Sequence, residues 1–155
     1  MKMRPSKGFT LIELIAVIVI LGILAAAVVP RFIDLKKASI ETTMEAITGA
    51  VKSAATMVYA KAEVERVADL ASSSVMVEGT SIATVYGYPA GTAAGIDAMI
   101  SSGGWQKRAS VFSGAWVYWH GVIQEDAGVA QCYIRYRQST GPGLAPVIDV
   151  QTSGC

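Results

Sequence analysis

From Phe9 to Val29 the chain is apolar at almost every position, with Glu13 its only charged side chain and Thr10 the only other residue carrying a hydroxyl or amide. Such a run has no polar face to turn toward water. Wound as a helix at about 1.5 Å per residue it would reach roughly 31 Å, enough to cross the hydrocarbon layer of a bilayer. Past Pro30 the pattern changes. Ile33, Ile40, Met44, Ile47, Val51, Ala54, Val58 and Ala62 recur at spacings of three, four and seven, with Lys36, Glu41, Glu45, Lys52 and Lys61 mostly between them, which predicts an amphipathic helix. Lys37 and Glu41 can pair one turn apart on its polar side. Pro30 offers no N–H to the carbonyl of Ala26 and crowds it, so the spacing predicts a kink there rather than a stop. The expectation is one helix of about 55 residues, weakest at Gly22, Pro30 and Gly49.

Beyond Asp69 the pattern is one of short strands and turns. Ser72 to Ser74 reads as a loop, "VMV" and "SIATVYGYP" as strands separated by Glu78 and Gly79, and "TAAGIDAMISS" as a short helix. "GAWVYWHGVI" and "VAQCYIRYR" are stronger strands. In the second, Ala130, Cys132, Ile134 and Tyr136 share one face and Gln131, Tyr133, Arg135 and Arg137 the other. "PVIDV" is a final strand, ended by Gly154 and Cys155. Hairpin-like spacing makes the sheet antiparallel, its apolar face laid on the helix stripe. The fold class expected is α+β, a long kinked N-terminal helix packed on a small antiparallel sheet.

Composition sharpens this picture. The 155 residues are 52% hydrophobic with a mean hydropathy of +0.44, which suits one domain plus a membrane segment. Three cations, Lys2, Arg4 and Lys7, precede the apolar run, but no small-x-small cleavage site follows it, so this is not an ordinary secretory signal. Gly8 lies before the run instead. A cut between Gly8 and Phe9 would discard the charges, keep the apolar helix, and take the side-chain charge from +1 to −2. Neither value suits a polyanion-binding protein, and no nucleic-acid partner is expected. Cations before the span, against Arg31, Lys36 and Lys37 partly offset by Asp34 after it, put the leader in the cytoplasm and residues 30–155 outside. Cys132 and Cys155 lack metal-like spacing; they read as a disulfide in an oxidising compartment, with two unpaired thiols as the alternative.

Glu13 is then the residue to explain. An ionised carboxylate at membrane depth costs several kcal/mol unless paired, and intramembrane acids are functional by default. One reading puts Glu13 in the headgroup layer, close to the charged leader. Cleavage after Gly8 offers another, because it frees the amine of Phe9 as a cation in the same apolar zone. If that amine belongs to a neighbouring chain, the pair sets the stagger between two packed helices.

The stretch "KGFTLIELIAVIVILGILAAAVVPRF", with its basic leader, Gly8, Phe9, Glu13, unbroken apolar helix and Pro30, closely resembles the N-terminus of type IV pilins, and the likeness covers roughly residues 2–65. The resemblance implies that a prepilin peptidase removes residues 1–8 and that the amine of Phe9 is methylated. It implies that Glu13 guides subunit addition by the inner-membrane assembly machinery, that residues 9–29 span the membrane before assembly, and that copies of the chain then bundle into a helical filament. The segment between Gly22 and Pro30 would lose helicity on assembly. "AATMVYAKAEV" and "VYGYPAGTAAGI" are similar to mannose-sensitive haemagglutinin pilins, and the cysteine pair to the disulfide-bounded region of many pilins. Such a protein is a structural subunit, not an enzyme. It needs no cofactor, moves from the inner membrane to an extracellular pilus, and serves attachment and biofilm formation through a surface or glycan receptor.

Other candidate sites are weaker. His120 follows Trp116, Tyr118 and Trp119, a sugar-stacking surface or, more simply, strand packing; no second histidine completes a metal or nucleophile-base pair. Glu125, Asp126 and Asp149 lack calcium-loop spacing. Lys107, Arg108, Arg135 and Arg137 read as a basic patch or a solvated face. The glycines form no phosphate-binding fingerprint. Two other functions share features with the pilin: a type II secretion pseudopilin, which usually lacks the C-terminal disulfide, and a membrane-anchored extracytoplasmic binding domain, which needs neither the Gly8 cut nor Glu13.

Overall fold

The computed structural model describes residues 9–101, 103–119 and 132–155. One helix, α1 (Leu11–Val64), continues through Pro30 without a stop. Seven strands follow: β1 (Ser73–Val77), β2 (Thr80–Val85), β3 (Tyr88–Pro89), β4 (Gln106–Ala109), β5 (Ala115–Trp119), β6 (Tyr133–Arg137) and β7 (Val147–Gln151). A single 3-10 turn, Ile96–Met99, lies between β3 and β4. The fold is α+β.

By its internal contacts the chain divides into two compact units, Met1–Ser39 and Ile40–Cys155. In the first, every side chain whose exposure is described is exposed, Ile33 included, although the spacing had placed Ile33 on the packed stripe. In the second unit the stripe takes hold. Met44, Ile47, Val51, Ala54, Ala55, Val58 and Ala62 are buried, three or four residues apart, on one side of α1. Fully burying each of the larger of these side chains stabilises the domain by about 1.5–3 kcal/mol.

That stripe meets two antiparallel sheets, where the sequence suggested one. β1-β2-β3 form a three-stranded sheet and β4-β5-β6-β7 a four-stranded one. Met44 to Ala55 pack with Ile96, Ile100, Trp105, Tyr118, Cys132, Ile134 and Tyr136, so the four-stranded sheet takes the earlier turns of the packed half. Val58 and Ala62 pack with Ala68, Val75, Val77 and Ile82, so the three-stranded sheet takes the last turns.

The helix ends in a Schellman arrangement: Val67 N–H donates to the carbonyl of Ala62 at 2.9 Å and Arg66 N–H to that of Glu63 at 3.1 Å. Arg66 sits there at φ 59°, in the left-handed region that glycine occupies without cost.

"SIATVYGYP" is not one strand but a hairpin. Tyr86 (φ 47°) and Gly87 (φ 78°) form a two-residue turn with both central φ positive, and Val85 pairs with Tyr88. Gly87 is required twice over, since an added Cβ would lie 2.9 Å from the Cα of Ala68. Glu78 and Gly79 make the same kind of turn between β1 and β2. Ser73 and Ser74, expected in a loop, pair with Thr84 and Ala83 as the start of β1; serine chemistry suggested a turn, and the cross-strand ladder overrode it.

The helix expected over residues 92–102 shrinks to the 3-10 turn, because Gly95 enters it without a side-chain cap. β4 was not anticipated: its four residues are all exposed, so no alternation marks it. Of "VAQCYIRYR", Val129, Ala130 and Gln131 lie outside the described residues; the rest alternates as expected, Ile134 and Tyr136 buried, Arg137 exposed.

The candidate assembly helix and its N-terminal cap

α1 starts with a reciprocal cap. The backbone N–H of Thr10 donates to Oε2 of Glu13 at 2.9 Å, the Thr10 hydroxyl donates to the same oxygen at 2.8 Å, and the N–H of Glu13 approaches the Thr10 hydroxyl oxygen at 3.4 Å. Leu14 N–H donates to the Thr10 carbonyl at 3.3 Å, which makes Thr10 the N-cap and Glu13 the third helical residue. This is a capping box, and its T-x-x-E signature ahead of an apolar run was present in "TLIE" but was not read as one. The carboxylate therefore has a structural task inside its own chain: it satisfies donors that the first helical turn leaves unpaired and sits at the positive end of the helix dipole. One of its oxygens, Oε2, is engaged locally by Thr10.

From Leu14 to Val29 the helix carries no polar side chain. An 18-residue window within it reaches a mean hydropathy of 3.0, long and apolar enough to cross a membrane, and none of it is buried by the protein. A Cβ on Gly22 would meet nothing within 4 Å, so no contact inside the chain asks for glycine there. Gly8 and the leader lie outside the described residues.

Cys132 and Cys155 are joined as a disulfide, with Cα atoms 4.9 Å apart. The bond lies in the core against the helix: Sδ of the fully buried Met44 is 3.3 Å from Sγ of Cys155 and 3.8 Å from Sγ of Cys132. It ties the entry of β6 to the segment after β7.

The remaining candidates are absorbed by packing and pairing. Tyr118 and Trp119 are buried, which makes the aromatic run core rather than a sugar platform; His120, Glu125 and Asp126 lie outside the described residues. Burial, with the Asp97 carboxylate adding to it, pushes the Tyr118 hydroxyl above the usual phenol range, and burial does the same to Tyr136. The basic residues do not make one face. Lys107 pairs with Asp97 at 3.0 Å, the Arg108 guanidinium lies 5.7 Å from the Trp119 ring centroid, and Arg135 and Arg137 both reach Asp149.

Comparison with known proteins bears on the same N-terminal region. Residues 3–29 match the family model for the prokaryotic N-terminal methylation motif. Over 49 residues the chain is 55% identical to the major component of the type IV narrow pilus of Thermus thermophilus, covering 32% of this chain and 42% of that protein. Over 51 residues it is 47% identical to the major component of the type IV wide pilus of the same organism, covering 32% of this chain and 39% of the relative. The chain thus spans about two fifths of the length of the curated relatives it matches. No solved structure matches it significantly. The family-model match runs to Val29 and so includes the exposed apolar start of α1.

Proposed function

We propose that this chain is a structural subunit of a type IV pilus that polymerises through the bare half of α1. The observation that carries the reading is an exposed apolar helix, capped by Thr10 and Glu13, inside a stretch that matches the N-terminal methylation motif. A surface so apolar needs either lipid or other copies of itself, and a pilin has lipid before assembly and its neighbours afterwards. In this reading a prepilin peptidase of the inner membrane cuts after Gly8, and the new amine of Phe9 is methylated. Glu13 meets the Phe9 amine of an adjacent copy in the growing filament. Gly22 and Pro30 supply the kink points of the helix, and the segment between them loosens as subunits pack. The filament, once outside the cell, serves attachment and biofilm formation, and the hairpin and helix-end sequences fit the mannose-sensitive haemagglutinin subtype.

The capping box makes one substitution unusually clean. Glu13→Gln keeps a residue that serves the third position of a capping box as glutamate does, so the helix start is preserved and only the charge is lost. The expected result is a chain that is processed and held in the membrane but forms few filaments, read by electron microscopy of sheared material. Mass analysis should find the mature chain beginning at Phe9. Wild-type filament yield from Glu13→Gln would sink the pairing, and filaments built of chains that still carry the leader would sink the processing.

A further inference from the structure

On β6, Ile134 and Tyr136 point into the core, so Arg135 and Arg137 occupy the outer face of the four-stranded sheet; Arg135 is the cross-strand partner of Asp149 on β7. An outer sheet face is ordinarily open to water. This one is walled into a cavity of about 800 Å³, with Tyr86 of the β2–β3 turn and Phe112 of the segment before β5 on its sides. Both arginines grip the same carboxylate. Arg135 Nη2 lies 3.2 Å and Arg137 Nε 3.1 Å from Oδ2 of Asp149. The Arg135 guanidinium also stands 4.8 Å from the Phe112 ring centroid and its side chain is only 17% exposed, so its plane is held in place. Among the described lining residues two guanidinium groups face a single carboxylate, which leaves the cavity positive.

Two further details separate this cavity from a passive groove. Tyr86 holds φ 47°, a conformation costly for a bulky side chain, where asparagine or glycine would make the turn without strain. Phe112 stays 53% exposed at the rim although the core nearby is well filled. Gln138 is oriented as well: its Oε1 accepts from the N–H of Gly91 at 2.9 Å.

We propose that this cavity binds a carboxylate-bearing saccharide, its ring face against Phe112 and Tyr86 and its carboxylate on the guanidinium groups of Arg137 and Arg135. Planar guanidinium forks suit a carboxylate bidentately, aromatic faces suit the C–H face of a pyranose, and Asp149 and Gln138 offer partners for hydroxyls. An extended peptide would instead recruit main-chain groups along β7, the last strand of this sheet among the described residues, and this cavity lies on the face of the sheet. The inference gives a ligand class to the attachment role proposed above and rests on that reading for its setting, although binding itself requires no filament.

The test uses the full chain in detergent micelles and, in parallel, sheared filaments, with trigalacturonate as probe and neutral galactotriose as control, read by saturation-transfer NMR and calorimetry. Trigalacturonate should bind, galactotriose at least about tenfold more weakly, and added salt should narrow that gap. Phe112→Ala and Arg137→Gln should each weaken trigalacturonate binding about tenfold without moving the tryptophan-detected melting temperature. Phe112 is exposed, so its variant decides the matter if Arg137→Gln folds poorly. No trigalacturonate binding by the micellar chain, equal binding of the neutral trisaccharide, or undiminished binding by a well-folded Phe112→Ala each overturns the proposal. Failure of the chain to form filaments while the micellar protein still binds counts against the pilus reading alone.

Discussion

The two halves of α1 are made of similar residues and live by different rules. From Leu11 to Ser39 every helical side chain whose exposure is described is exposed, and from Ile40 to Val64 one stripe of it is buried while the opposite side stays wet. In the packed half the sequence is dictated from inside: Val51 and Val58 are apolar because two sheets lie against them, and Lys52 and Met57, one residue away from each, are exposed. In the bare half the positions from Leu14 to Val29 are apolar all round, and the described ones are exposed. The difference teaches where to look for the cause of each residue: within the fold for the second half, and in lipid or neighbouring chains for the first.

The sharpest break of that comparison puts the same charge in both halves. All three tryptophans, Trp105, Trp116 and Trp119, belong to the second unit, so their fluorescence reports that unit alone. Val51→Asp buries a carboxylate at a fully buried position and should abolish the cooperative tryptophan transition, a loss beyond about 4 kcal/mol. Val19→Asp should leave that transition where it was in detergent, while costing about 2.5–3.5 kcal/mol of membrane insertion. Val19→Asp would contradict the division of labour if it lowered the melting temperature as Val51→Asp does.

A smaller effect sharpens the packed side. The disulfide closes a loop with a sequence separation of 23 and rests on Met44 of the helix. Cys132→Ser should lower the stability of the second unit by about 3 kcal/mol, and dithiothreitol should do the same to the native chain. Tryptophan-detected urea unfolding measures both; coincident curves for oxidised and reduced protein would show that the bond adds nothing.

The sequence made the helix legible because two periodicities abut at Pro30, and the strand Tyr133–Arg137 legible because its side chains alternate cleanly. It hid what depends on partners. β4 carries Gln106, Lys107, Arg108 and Ala109, all exposed, and is a strand only because β5 supplies a ladder. The break of "SIATVYGYP" into β2 and β3 turns on Tyr86 taking a positive φ, which no propensity favours for tyrosine. At the helix start the signal was present and unused. Glu13 stands out in the sequence as a membrane charge, while its three-residue spacing from Thr10 also describes a cap.

Tyrosine ionisation tests the packed half again at lower amplitude. Tyr136 donates to the carbonyl of Pro89 at 2.7 Å, whereas the buried hydroxyl of Tyr118 faces the Asp97 carboxylate without a hydrogen bond of good geometry. Tyr136→Phe leaves a buried carbonyl short of its donor and should cost about 1–2 kcal/mol; Tyr118→Phe gives up only the poorer approach to Asp97 and should cost less. Both phenols are raised on folding, so their neutral forms are the ones the fold favours. The stability linked to them is fully present below the unfolded phenol value near pH ~10 and is lost as pH rises above it toward the folded values. Urea midpoints that stay constant between neutral pH and strongly alkaline pH would rule this out.

The smallest effect lies at the point where the packed half ends. Arg66 holds φ 59° two residues past the last residue of α1, a position where a side chain crowds the backbone and glycine does not. The Schellman bonds from Val67 and Arg66 use backbone N–H groups alone, so replacing the side chain leaves them in place. Arg66→Gly removes the crowding, worth about 1 kcal/mol, and gives part of that back because glycine has more freedom in the unfolded chain. A net gain of about 0.5 kcal/mol should appear as a rise of one to a few degrees in the tryptophan-detected melting temperature. The matching change in the bare half, Gly22→Ala, adds a methyl into open space at a helical position and should leave that melting temperature unchanged, since nothing in the second unit touches it. A fall in the melting temperature for Arg66→Gly would mean that the arginine side chain contributes more at the helix end than its backbone strain takes away.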